Sequence, residues 1–207
     1  MLSVLGKPTS INVRKVLWTC ALLDLPVTAE PWGSGYRSCS EPAFMALNPN
    51  AMVPVLVDDS TALWESNTIC RYLAARQART DLLPAEPMAR AQVEKWMDWQ
   101  VAELNNAWRY AFMALVRASP LHADGGALET SVVAWNRHMG ILERQLAITG
   151  AYVAGANFTL ADVVLGLSTN RWRSTPMARP DLPAVAAWYA RLATHPGFTA
   201  HCANGVA

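Results

Sequence analysis

The sequence predicts a chain in two parts, an α/β domain of order β-α-β-α-β-β-α followed by an all-α domain of the helical-bundle kind. Three observations predict it. As far as about residue 80, short apolar strand-like runs alternate with segments of helical periodicity. Beyond about residue 87 strand signals nearly vanish, and apolar residues recur every three or four positions. Between them, Gln77 to Pro87 carries Asp81, Pro84 and Pro87, the breakers of a linker. The expected domains are therefore 1–80 and 88–207, with the linker at 81–87.

Leu2-Ser3-Val4-Leu5 reads as a short strand, and Gly6-Lys7-Pro8-Thr9-Ser10 as a turn rich in breakers and capping residues. Val13, Val16, Leu17, Cys20 and Leu23 or Asp24 fall at helix spacing, and Leu25-Pro26 stops that helix before a strand near Val27 to Pro31. A polar loop from Gly33 to Ser38 leads to one or two helical turns between Glu41 and Leu47. Strands at Val55 to Asp58 and Ala62 to Trp64 are joined by Asp59-Ser60-Thr61, a hairpin-length connection. Ser66 is placed to cap a helix through Ile69, Tyr72 and Leu73.

In the second part, Val93, Met97, Gln100 or Val101, Leu104, Trp108, Phe112 and Leu115 make the stripe of one long amphipathic helix between Met88 and Ser119. Val132, Trp135, Met139, Leu142 and Leu146 mark a second, ended by Thr149-Gly150. Thr159 and Asp162 form an acidic capping box with Phe158 and Val163 as its staple, a signal of folding rather than chemistry. Leu182-Pro183 opens a last helix through Val185, Trp188 and Leu192.

Composition narrows the function. A net charge of +1 over 207 residues, with no basic run, argues against nucleic acid as the partner. Charged or polar residues interrupt every apolar segment, so no membrane span is expected, and the apolar run after Met1 is too short for a signal peptide. Cys20, Cys39, Cys70 and Cys202 show neither CxxC nor metal-ligand spacing, which fits reduced thiols in a cytoplasm and no metal site.

The chemistry is expected around Asn48-Pro49-Asn50-Ala51-Met52-Val53-Pro54-Val55-Leu56-Val57 and the following Trp64-Glu65-Ser66-Asn67. Pro54 cannot donate to a ladder and belongs at the start of a strand. A cis Val53-Pro54 bond would leave the N–H and C=O of Val53 pointing outward, open to an extended peptide as another strand would be. The helix that Ser66 is expected to cap would offer its free N–H groups to a carboxylate. A short acidic peptide meets both demands.

These residues, in this order and spacing, resemble the glutathione transferase family, and the resemblance covers nearly the whole chain. It implies a thioredoxin-like first domain, no prosthetic group, and glutathione as cosubstrate. It further implies that Val53 and Pro54 pair with the cysteinyl backbone of glutathione, and that Glu65 and Ser66 hold its γ-glutamyl end. A homodimer in the cytoplasm, working in detoxification, is the assembly it suggests. Ser10, in Thr9-Ser10-Ile11-Asn12-Val13, falls where serine-type members carry the hydroxyl that stabilises the thiolate. Thr9 is a further candidate, and Asn12 could donate an amide N–H instead, as in some disulfide-reducing bacterial members. The turn holds no Tyr, which argues against the tyrosine-type classes, and no Cys, which a covalent mechanism needs.

One departure stands out. Many members have a basic residue just before the Val-Pro to hold the glycine carboxylate, and this chain has Met52. Arg37 or Asn50 is expected to meet that carboxylate, or else water. The electrophile is expected to lie against the loop after Gly6 and the aromatic residues of the long helix, Trp96, Trp99, Trp108, Tyr110, Phe112 and Met113. Attack of the glutathione thiolate on a small, hydrophobic electrophile is the expected reaction. Reduction of disulfides or peroxides on the same fold is the alternative, and a non-catalytic binding module is the alternative from another class.

Overall fold

The computed structural model describes residues 2–207; Met1, the first residue of the expected first domain, lies outside them. The described residues divide into two compact units, 2–84 with 194–204, and 85–193 with 205–207.

The first unit is built on a four-stranded sheet of order β2-β1-β3-β4, with β1 Leu2–Leu5, β2 Thr28–Glu30, β3 Val55–Asp58 and β4 Thr61–Trp64. β1 runs parallel to β2 and antiparallel to β3, and β3 pairs antiparallel with β4. Helices α1 Ile11–Leu22, α2 Pro42–Met45 and α3 Ser66–Arg76 complete the expected β-α-β-α-β-β-α order of a thioredoxin-like domain. Asp58 pairs with Thr61, so the β3–β4 turn is two residues rather than the expected three, and Thr61 belongs to the strand. Asp59 takes the positive φ that so short a turn needs.

Everything from residue 88 onward was expected in the helical domain, yet Thr194–Asn204 groups with the first unit. Two side chains of α1 explain why. The buried Arg14 guanidinium donates to the carbonyls of His201 and Cys202 at 2.7 and 2.6 Å, and Trp18 Nε1 donates to Pro196 O at 2.9 Å. A cation taken out of water must be hydrogen-bonded, and the closing turn supplies the acceptors.

The second unit is helical: α4 Pro87–Trp99, α5 Asn105–Leu115, α6 Gly125–Thr149, α7 Leu160–Ser174 and α8 Pro183–Leu192. The one long helix expected between Met88 and Ser119 is interrupted by a π-helical turn at Gln100–Leu104 that joins α4 to α5. The extra residue in that turn shifts the apolar stripe. Gln100 is fully buried while Val101 is 43% exposed, so the polar residue takes the inward place. Its amide is satisfied there by Asn105 Oδ1, which also accepts from Trp108 Nε1. α6 ends as expected, with Gly150 in the left-handed conformation. The capping box at the start of α7 is formed. Asp162, fully buried, accepts from the Thr159 N–H and hydroxyl, the Val153 N–H and Trp188 Nε1. No helix is long and apolar enough to cross a membrane among the described residues.

Candidate functional site

Beneath the candidate site lies a small core in which Leu5, Trp32, Phe44 and Val55 are buried, with Val53, Cys39 and Leu47 packed on its edge. It ties the end of β1, the loop after β2, α2 and the start of β3 into one support, so the loops above it are placed by packing. A close approach fixes the join. A methyl group on Gly6 would lie 2.4 Å from Val13 Cγ2 and 3.1 Å from Val53 Cβ, so only glycine lets β1 turn into α1 against Val53.

The segment leading to Val53 is organised by Asn48, a buried residue that sequence reasoning did not single out. Its Nδ2 donates to Met52 O at 2.7 Å, and its Oδ1 accepts both from the Asn50 backbone N–H and from Asn50 Nδ2 at 3.0 Å. Asn48 thus closes the turn as an Asx residue does, and the Asn-Pro pair was its signal. The Val53-Pro54 bond is cis. The ladder with β1 starts only at Val55, opposite Leu5, so Val53 sits just before it.

A cavity of about 480 Å³ opens here, lined by Ser10 and Asn12 on one side, by Met52 and Val53 on another, and closed by the loop from Gly33 to Cys39. Four of the expected site residues therefore share one cavity. Ser10 is the N-cap of α1 by its extended backbone (φ −75°, ψ 125°), but its side chain makes no capping hydrogen bond. The hydroxyl is left for something else. Thr9, Pro54, Glu65, Ser66, Arg37 and Asn50 do not line this cavity.

Ser66 was expected to cap α3, and the structure corrects this: Glu65 is the N-cap, at φ 70°, and Ser66 is the first helical residue, 5% exposed. The sharp positive-φ turn is made one residue earlier, where the chain leaves β4. The first intrahelical bond runs from Ile69 N–H to Glu65 O. The N–H groups of Ser66, Asn67 and Thr68 therefore have no acceptor within the helix. Arg37 is committed elsewhere, to Glu41 at 3.0 Å and to the face of Trp32 at 3.8 Å from its centroid. Asn50 is likewise held by Asn48.

Sequence reasoning missed Lys7 and Cys39 as wall residues. The Cys39 thiol is raised above its ordinary pKa by burial, with the nearby Lys7 charge offsetting part of the shift, so it is not an activated nucleophile. Of the aromatic residues proposed for an electrophile site, Trp96, Trp108 and Phe112 are core side chains of the helical unit. Arg171 stacks over Trp108 and Phe112 at 4.5 and 4.0 Å. Among the described residues, no group of three or more His, Cys, Asp or Glu side chains is placed to hold a metal ion.

Comparison with known proteins also finds two domains in the chain. Residues 4–81 match the glutathione S-transferase N-terminal domain, and residues 105–196 match the C-terminal domain. The chain is 34% identical to glutathione S-transferase GstB of Escherichia coli (strain K12), over 95% of each chain. It is 34% identical to glutathione S-transferase 3 of Zea mays, over 95% of this chain and 91% of that one. Among solved structures, the theta class glutathione S-transferase from Xanthomonas axonopodis pv. citri, with glutathione bound, superposes with a TM-score of 0.90 at 34% identity, covering 97% of this chain and 96% of that one. On its sequence and both of its domains, the chain belongs to the glutathione S-transferase family.

Proposed function

We propose that the protein is a glutathione transferase in which the Ser10 hydroxyl holds the thiol of bound glutathione as thiolate for attack on a small electrophilic carbon. The observation that carries this reading is an N-cap hydroxyl that its own helix does not use, on a residue that lines the same cavity as Val53. A thiol near its ordinary pKa of about 8.5 is only a few per cent ionised at neutrality, and lowering it by two units needs roughly 2.7 kcal/mol. A hydroxyl donated to a charged sulfur supplies about 1.5–3 kcal/mol, and the α1 N-terminus adds about 0.3–1. One hydroxyl is sufficient.

The remaining roles follow the ligand's chemistry. The cysteinyl backbone pairs with the Val53 main chain ahead of Pro54, and the γ-glutamyl carboxylate lies at the free N–H groups of α3, with Glu65 and Ser66 as its side-chain contacts. Sulfur forms the new bond to carbon, the leaving group departs with its electron pair, and the enzyme forms no covalent intermediate. A cytoplasmic homodimer is the working assembly, on the strength of family membership. A second reading, glutathione-dependent reduction of disulfides or peroxides, is favoured by one observation: Asn12 lines the same cavity and can donate to sulfur.

The test is calorimetric titration with reduced glutathione, with thiolate absorbance recorded across pH on the same samples. Saturable binding with thiolate well below pH 8 supports transfer chemistry, and binding without thiolate supports the reductase. No binding at millimolar glutathione would leave a non-catalytic module.

A further inference from the structure

The turn that opens α1 carries a group not yet used. Lys7 is the only charged side chain on the cavity wall, and its ammonium makes no hydrogen bond or ion pair among the described residues. A cation left without a counter-charge on a cavity wall is a place for an anion. We infer that Lys7 binds the glycine carboxylate of glutathione, standing in for the basic residue that this chain replaces with Met52. The inference rests on the proposed glutathione site.

The geometry limits which carboxylate it is. If the cysteinyl residue pairs with Val53, the glycine is the next residue, and one residue spans at most about 3.6 Å, so its carboxylate stays near Val53. Lys7 converges on the same place: a methyl built on Gly33 would lie 3.8 Å from Lys7 Cδ and 3.9 Å from Val53 Cγ1. The γ-glutamyl carboxylate belongs to the start of α3, whose Glu65 and Ser66 do not line this cavity. Of the other candidates for the glycine end, Arg37 pairs with Glu41 and stacks on Trp32, Asn50 is hydrogen-bonded to Asn48, and neither lines the cavity. A lysine stem can pack on apolar surface while its ammonium stays at the solvent side, where a carboxylate can meet it.

The experiment is calorimetric titration of the wild type and Lys7→Met with reduced glutathione and with its glycine ethyl ester. The wild type should bind the ester about 10- to 100-fold more weakly, the range of one hydrogen bond to a charged group. Lys7→Met should lose the same factor with glutathione and cease to distinguish the two ligands, and Lys7→Arg should restore both. Lys7→Met with wild-type affinity and undiminished discrimination would overturn the inference. So would unchanged glutathione affinity with a raised KM for an anionic electrophile, which would assign Lys7 to the second substrate. A wild type that binds neither ligand would instead overturn the proposed function itself.

Discussion

Among the described residues two α-helices have a hydroxyl residue as N-cap, Ser10 for α1 and Thr159 for α7, and the two hydroxyls are used in opposite ways. Thr159 is locked into its helix: its N–H and hydroxyl both donate to Asp162, whose carboxylate also accepts from Val153 and Trp188. Ser10 has an extended N-cap backbone too, but no capping hydrogen bond, and lines a cavity. The difference is written three residues on. The N3 position is Asp162 in α7, which completes a reciprocal box, and Val13 in α1, which cannot. A helix start that satisfies itself stabilises the fold, and one left unsatisfied is free to act on a ligand.

The largest effect is expected at Asp162. Asp162→Ala removes the acceptor for four buried donors and should cost about 3–5 kcal/mol of unfolding free energy by urea titration. A loss under about 1 kcal/mol would break the comparison on its structural side. The same residue sets a pH dependence. Burial pushes its carboxyl up to about 6, against the hydrogen bonds that favour the anion. Because this lies above the unfolded value of about 3.9, the folded state binds more protons between the two. The proton-linked part of its contribution to stability is fullest below about pH 4 and is lost as pH rises to about 6, while the hydrogen bonds that the carboxylate accepts remain. Asp162→Asn should remove that slope from urea midpoints measured across the interval, and equal slopes in the two proteins would contradict it.

A smaller effect sharpens the comparison at its functional end. Asn12→Ala should lower kcat/KM for conjugation by less than about threefold, because the hydroxyl rather than the amide carries the thiolate. A fall as deep as that caused by Ser10→Ala would move the role to Asn12 and favour the reductase.

Much of this was legible in the sequence, because the signals are local. Strand and helix order follow periodicity, the capping box is a four-residue pattern, and Val53-Pro54 announces the start of β3. What was not legible depends on partners distant in the chain. The π-turn puts Gln100 rather than Val101 inside because Asn105 satisfies its amide. Thr194–Asn204 joins the first unit because Arg14 and Trp18 need its carbonyls. At the site, Ser10 and Val53 line one cavity, whereas Arg37 does not line it and contacts Glu41 and Trp32. Lys7 could have been noticed as a cation three residues before Ser10, but only the cavity shows what it faces.

The central claim, that the Ser10 hydroxyl serves the ligand and not the helix, is tested most directly by Ser10→Ala. Thiolate absorbance of bound glutathione should be titrated against pH for wild type and variant, with unfolding free energy measured on the same samples. The account predicts that the thiol pKa rises by about 1–2 units while stability changes by less than about 0.5 kcal/mol. An unchanged thiol pKa, together with the loss of about 1 kcal/mol that removing an ordinary N-cap costs, would contradict it.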